Sequence, residues 1–218
     1  EQAGRGMAPQ PSVTLVPPTR LERSRLEFSI HRPSRLLRHD IELVFRPDLE
    51  AEFVQQRPEV TTNDAKDEWL HECLLAIPTW QPASQDLSEI SEAVNEERRA
   101  LLANFSAWSD ILRRNLRPYW SDASCPMEGC AKYGTATSVI YNELEGLTSL
   151  LKYSSIPIGC CGIVLHPEWQ RCAYPVTIFT TAPLNVLEVA IAATDAEHVC
   201  KLPALDPARG SGAARGSS

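Results

Sequence analysis

VNEERRALLANFSAWSDIL, residues 94–112, returns an apolar side chain to one helical face at Val94, Leu101, Phe105, Trp108 and Leu112, at intervals of seven, four, three and four. That period predicts a long amphipathic helix. Asn95 is the expected cap, Glu96 and Glu97 suit the positive end of the helix dipole, and Arg113, Arg114 and Arg117 suit the negative end before Pro118 closes the element.

Upstream of this helix, Leu26, Phe28 and Ile30 alternate with charged or small residues, which predicts a half-buried strand ending at His31 and Pro33. Ser34 then caps a helix whose apolar face is Leu37, Ile41, Val44 and Phe45, with Pro47 as its stop and a charged loop expected over 48–67. The run Cys73-Leu74-Leu75-Ala76-Ile77, bounded by Pro78 and Pro82, predicts a buried strand.

Downstream, residues 119–137 carry the aromatic and turn-forming residues of an ordered loop or short strands. Ile140, Leu144, Leu147 and Leu151 mark a second helix, in which Gly146 costs about 1 kcal/mol relative to Ala. Ile163 to Leu165 and Val176 to Phe179 predict an antiparallel strand pair joined through HPEWQRCA. Strands and helices mingle without strict alternation, so the fold class is α+β, a single domain with packed helices on a mixed or antiparallel sheet.

The totals are those of an ordinary globular chain: 218 residues, 43% hydrophobic, 22% charged. A net charge of −7 argues against nucleic acid and anionic membranes as partners, and no apolar run is long enough to span a bilayer. No charged-then-apolar leader stands at the start, which is Glu1 rather than Met. The ends lack apolar content, so 1–21 is expected to be a disordered segment, 22–199 the folded domain and 200–218 a disordered tail.

Seven cysteines, Cys73, Cys125, Cys130, Cys160, Cys161, Cys172 and Cys200, are odd in number and irregularly spaced, which reads as reduced thiols of a cytoplasmic or mitochondrial protein. There is no glycine-rich phosphate cradle of the dinucleotide or P-loop type, although a flavin can be held without one. Cys125 and Cys130 have half of a metal knuckle's spacing but no second pair, so they read as incidental thiols on a loop. His166, six residues from Cys160, would make a thiol–imidazole pair only if the chain reversed; a hairpin histidine beside Pro167 is the simpler reading.

Gly159-Cys160-Cys161-Gly162 is the sharpest feature, because flanking glycines permit close approach by another body. On an extended backbone the two thiols point to opposite faces, one toward the interior and one toward solvent or ligand. A buried structural pair is the ordinary alternative, since cysteine is commonly interior.

From about Glu97 to Pro183 the chain resembles the cobalamin-trafficking methylmalonic aciduria and homocystinuria type D family, here termed CblD-like. The resemblance runs through ERRALLANF, Tyr119-Trp120-x-Asp122, Pro126, Gly129, Tyr133-Gly134, Thr137, Glu143, Gly159-Cys160-Cys161, His166, Trp169 and IFTTAP, and more loosely through SIHRPSRLLRHDIELVF upstream. It does not account for Cys125, Cys130 and Cys172.

The resemblance implies a modified nitroreductase-like fold that has lost flavin binding, and a non-enzyme that binds no cofactor alone. It implies a partner, the cobalamin-processing type C protein, with cobalamin directed onward to methionine synthase and methylmalonyl-CoA mutase. It also implies that Cys160 donates a thiolate to the cobalt of cobalamin in the partner complex, with Cys161 packing. A thiolate is a soft donor suited to such a centre. The alternatives are a flavin-dependent nitroreductase-like oxidoreductase and a free thiol-redox enzyme, the latter needing a cysteine of lowered pKa.

Overall fold

Leu75 and Ile77 belong to one buried cluster and Leu74 and Ala76 to another, so the apolar run around them packs on both sides. Side chains alternate across a strand, and a strand apolar at every position must be covered on both faces. The structure, a computed structural model, describes residues 11–60, 62–158 and 161–203, without the side chains of residues 158 and 161. Among these it has six helices and seven strands in an α+β domain.

Strands β1 (Val13–Leu21), β2 (Leu26–Arg32), β3 (Leu75–Pro82), β4 (Ser121–Ala123) and β7 (Ala173–Thr180) form a five-stranded sheet in the order β1-β2-β3-β7-β4, every neighbouring pair antiparallel. Its first face carries Phe28, Ile30, Ile77 and Ile178, which meet Phe105, Trp108 and Leu112 of α4 (Glu92–Asn115) and Leu187 and Ile191 of α6 (Leu184–Glu197). Its second face carries Ala76 and Phe179, which meet α1 (Arg35–Val44), α2 (Arg46–Gln56) and α3 (Asn63–Cys73). On that second face Leu147 of α5 (Glu143–Leu151) packs with Trp80 and with Val164 of β6 (Cys161–Val164), the partner of β5 (Ser155–Ile158) in a separate two-stranded sheet.

The long helix has all five expected residues buried, but its cap is Ser91, whose hydroxyl accepts from Val94 N–H at 3.2 Å. Ser34 caps α1 as expected, accepting from Leu37 N–H at 3.3 Å. Pro47 does not stop the chain; it occupies the first turn of α2, where a missing N–H is harmless.

Most of the stretch expected as a charged loop, 48–67, is α2 and the start of α3, with Thr62 accepting from Ala65 N–H as a cap. The strand at β2 is buried from Leu26 to His31 rather than half-buried: Leu26, Phe28 and Ile30 join the first-face core, and on the other face Glu27 meets His166. The late strand pair is also corrected: β6 pairs with β5, whereas β7 lies between β3 and β4.

Residues 13–21, expected to be disordered, are instead β1, bonded along β2 from Val13 opposite Arg32 to Leu21 opposite Leu26. Backbone pairing supplies what sparse apolar content did not suggest, and Leu15 and Val16 pack on the first-face core. At the other end Leu202 and Pro203 carbonyls accept from Arg25, so the described part of 200–218 touches the body of the domain. Residues 1–10 and 204–218 lie outside the described residues. Among those described, no helix is long and apolar enough to cross a membrane.

Candidate functional site

The described part of the glycine-cysteine stretch, Cys161 and Gly162, opens β6, which pairs with β5: Ile158 stands opposite Cys161, Pro157 opposite Gly162 and Ser155 opposite Val164. The ladder continues to Leu165, whose N–H donates to Ser154 O at 2.8 Å. Gly159 and Cys160 lie outside the described residues, so Cys160 is located only by its neighbours in the chain. Gly162 does permit a close approach, by the domain itself: a Cβ there would stand 2.7 Å from Leu144 Cδ2 of α5.

Between this hairpin, α5 and β7 lies a cavity of about 200 Å³ whose lining includes Leu144, Leu147, Ile163, Pro175, Arg98 and Arg171. Neither arginine is idle. Arg171 pairs with Asp86 at 3.2 Å, and Arg98 donates to Asn95 Oδ1 at 3.1 Å. Glu143, also on the lining, accepts the hydroxyls of Ser124 at 2.6 Å and Thr177 at 2.5 Å, and burial pushes its carboxyl above the ordinary glutamate value.

His166 follows β6 and turns inward. Its Nδ1 accepts the N–H groups of Glu168 at 3.3 Å and Trp169 at 3.2 Å, which leaves the ring proton on Nε2, 2.9 Å from Glu27 Oε1. The ring stacks on Trp169 at 4.1 Å between centroids and meets the edge of Tyr153 at 5.9 Å. Both nitrogens are engaged, so His166 is a structural hairpin residue and not a free base for a thiol.

The motif residues after the long helix are likewise structural. Asp122 accepts the N–H groups of Tyr133 at 3.0 Å and Gly134 at 2.8 Å, tying the loop to β4. Trp120 meets the edge of Phe45 at 5.5 Å, and its carbonyl accepts from Thr180 Oγ1 at 2.7 Å. Arg113 lies over the Tyr133 ring at 3.9 Å.

Cys73, Cys125, Cys130, Cys172 and Cys200 are free thiols. Burial pushes Cys73 up to about 12 and also raises Cys172 and Cys130, so none of these three is a ready nucleophile. Sequence spacing pairs Cys125 with Cys130 and offers no further ligand; the fold of the turn brings Glu128 beside both.

The family model for the methylmalonic aciduria and homocystinuria type D protein matches residues 17–191. Among curated relatives, the cobalamin trafficking protein CblD of Rattus norvegicus is 29% identical over 166 residues, 75% of this chain and 49% of that protein. The proteins of that name from Homo sapiens and Gallus gallus are 28% and 26% identical with the same coverage. This chain therefore spans about half the length of the curated relatives it matches. The flavin-reductase alternative gains no support from these matches.

Proposed function

The chain belongs to the methylmalonic aciduria and homocystinuria type D protein family, and from that premise we propose that it is a non-catalytic adaptor in cobalamin trafficking, with Cys160 as a thiolate donor to cobalt in a partner complex. The observation that carries this reading is the family match over residues 17–191, which runs through the hairpin and Cys160. In it the partner is the cobalamin-processing type C protein, and the recipients are methionine synthase and methylmalonyl-CoA mutase. The compartment in this reading is cytoplasmic, mitochondrial or both.

Size supports the need for a partner. The cavity beneath the hairpin, about 200 Å³, falls below the ~300–1,000 Å³ of ordinary small-molecule sites, and a corrin is a larger macrocycle than most such ligands. Cobalamin would meet the hairpin from outside, with the partner enclosing the rest. The nitroreductase-like reading of the fold rests on the resemblance; an antiparallel sheet covered by helices on both faces is compatible with it.

The test is to mix the full chain with cobalamin-loaded type C protein, then follow co-elution and the visible absorption of cobalt. A joint peak with a changed cobalt spectrum is expected. Separate elution with an unchanged spectrum would reject the adaptor reading.

A further inference from the structure

Cys125 and Cys130 begin and end a turn in the loop after β4. Cys125 N–H donates to Cys130 O at 2.8 Å, Glu128 and Gly129 N–H groups both donate to Cys125 O at 3.2 and 2.7 Å, and Ser124 bridges Ala131 beneath them. Gly129 is held at φ 71°, and its carbonyl accepts Tyr141 N–H at 2.7 Å, which anchors the outer part of the turn. A Cβ on Gly129 would stand 3.0 Å from Tyr141 O, so the left-handed backbone and the close approach both call for glycine. The turn thus presents two thiols and a carboxylate from an anchored backbone.

We propose that Cys125, Glu128 and Cys130 form a binding site for a thiophilic divalent cation, zinc in the first instance, with a fourth position open to water. The two sulfurs and a Glu128 carboxylate oxygen all lie within 4.8 Å of one another. Tetrahedral zinc with bonds of ~2.3 Å to sulfur and ~2.0–2.2 Å to oxygen sets its ligands roughly 3.5–3.8 Å apart, so holding an ion asks these atoms to draw together by no more than about 1 Å. A proton now stands where the cation would: Cys130 Sγ donates to Glu128 Oε2 at 3.5 Å.

Ion binding releases the two thiol protons to solvent and turns both sulfurs into thiolates. The site lies outside the β5–β6 hairpin and does not rest on the cobalamin reading.

The metal-free, reduced 218-residue chain is titrated with zinc, and with cobalt(II) as the optical probe of thiolate ligation. About one ion per chain is expected, with about two protons released and a sulfur-to-cobalt(II) charge-transfer band. Zinc should protect Cys125 and Cys130 from alkylation, mapped by mass spectrometry, while leaving Cys73, Cys172 and Cys200 as reactive as before. Cys125→Ser and Cys130→Ser should lose the band, and Glu128→Gln should weaken binding while retaining it.

The site is overturned by no charge-transfer band in the reduced protein, by undiminished binding in the Cys125→Ser/Cys130→Ser double variant, or by zinc protection that falls on other thiols. A Cys125–Cys130 disulfide in air together with no ion bound after reduction also overturns it. The alkylation map needs no variant, so the proposal stays open to refutation even if a substitution prevents folding.

Discussion

Gly146 and Tyr141 share one space: a Cβ on the glycine would come closer than 3.0 Å to both the hydroxyl and Cζ of the buried phenol. Helix propensity alone says that Gly146→Ala should stabilise α5 by about 1 kcal/mol. Overpacking in a closed core costs about 1–3 kcal/mol, and here the obstructing atoms belong to a ring with few ways to move. The expected net effect is a loss of about 1–2 kcal/mol in chemical denaturation. A gain would show that the ring yields and that propensity decides.

Tyr141→Phe separates packing from polarity at the same place. The Tyr141 hydroxyl is buried and has no hydrogen-bond partner among the described residues. Removing an unpaired buried hydroxyl should be neutral or stabilising, within about 1 kcal/mol, as read by a denaturant midpoint. A loss above about 2 kcal/mol would reveal a bound water or another partner at that oxygen.

Phe105→Ala should be severely destabilising. Phe105 is 0% exposed and lies between α4 and the first face of the sheet, where truncating a phenylalanine typically costs about 3–5 kcal/mol. Thermal and denaturant unfolding should both show it.

A chain beginning at residue 22 should melt lower than one beginning at residue 11, because the cut removes β1 and exposes the edge of β2. Losing the packing of Leu15, Val16 and Leu21 should cost at least about 2 kcal/mol, or about 4–8 °C for a chain of this size. Equal melting of the two chains would mean that β1 adds no stability.

Elements with a broad apolar face were legible in the sequence; those held by few contacts were not. Val94, Leu101, Phe105, Trp108 and Leu112 announce α4 because each is buried at helical spacing. In α2 only Leu49 and Phe53 are buried, and in α3 only Trp69 and Leu70, too sparse a stripe to stand out against charged neighbours. The helix α6 begins after Pro183 with no side-chain cap, so the usual start signal is missing. Strand existence was readable at β7 but its partners were not, since alternation names faces and not neighbours. At the candidate sites, the glycine-flanked cysteines stood out by composition, whereas Glu128 joins Cys125 and Cys130 only through the turn that folds it back.

Acid should weaken the fold through His31. Its ring is 1% exposed, with Nε2 2.8 Å from Ser29 Oγ and Nδ1 3.2 Å from Thr14 Oγ1, and burial lowers its pKa from 6.5 to about 4. In the unfolded chain the imidazole takes a proton as pH falls through 6.5, while the folded one does not until about 4. Stability is therefore full above 6.5, declines as pH falls between these values and levels off below 4. The share from this group should be about 2 kcal/mol between pH 7 and pH 5. His31→Gln, which keeps a donor and an acceptor, should lose that part of the slope in a series of denaturation curves; parallel curves for the two proteins would remove His31 as the cause.

Cys160→Ser and Cys161→Ser test which neighbouring thiol meets cobalt, a question separate from whether the partner complex forms. Serine is close to cysteine in size, but its hydroxyl is a hard donor and scarcely ionised at neutral pH, so it cannot replace a thiolate on a soft centre. Cys160→Ser should fold with unchanged melting, still co-elute with cobalamin-loaded type C protein, and lose the thiolate–cobalt absorption. Cys161→Ser should keep that absorption. Loss of the band with Cys161→Ser alone would move the ligand to Cys161, the first residue of β6, and leave the adaptor reading intact. Loss with Cys125→Ser or Cys130→Ser would instead join the cobalt to the second thiol cluster, and then the two proposed sites could not be independent.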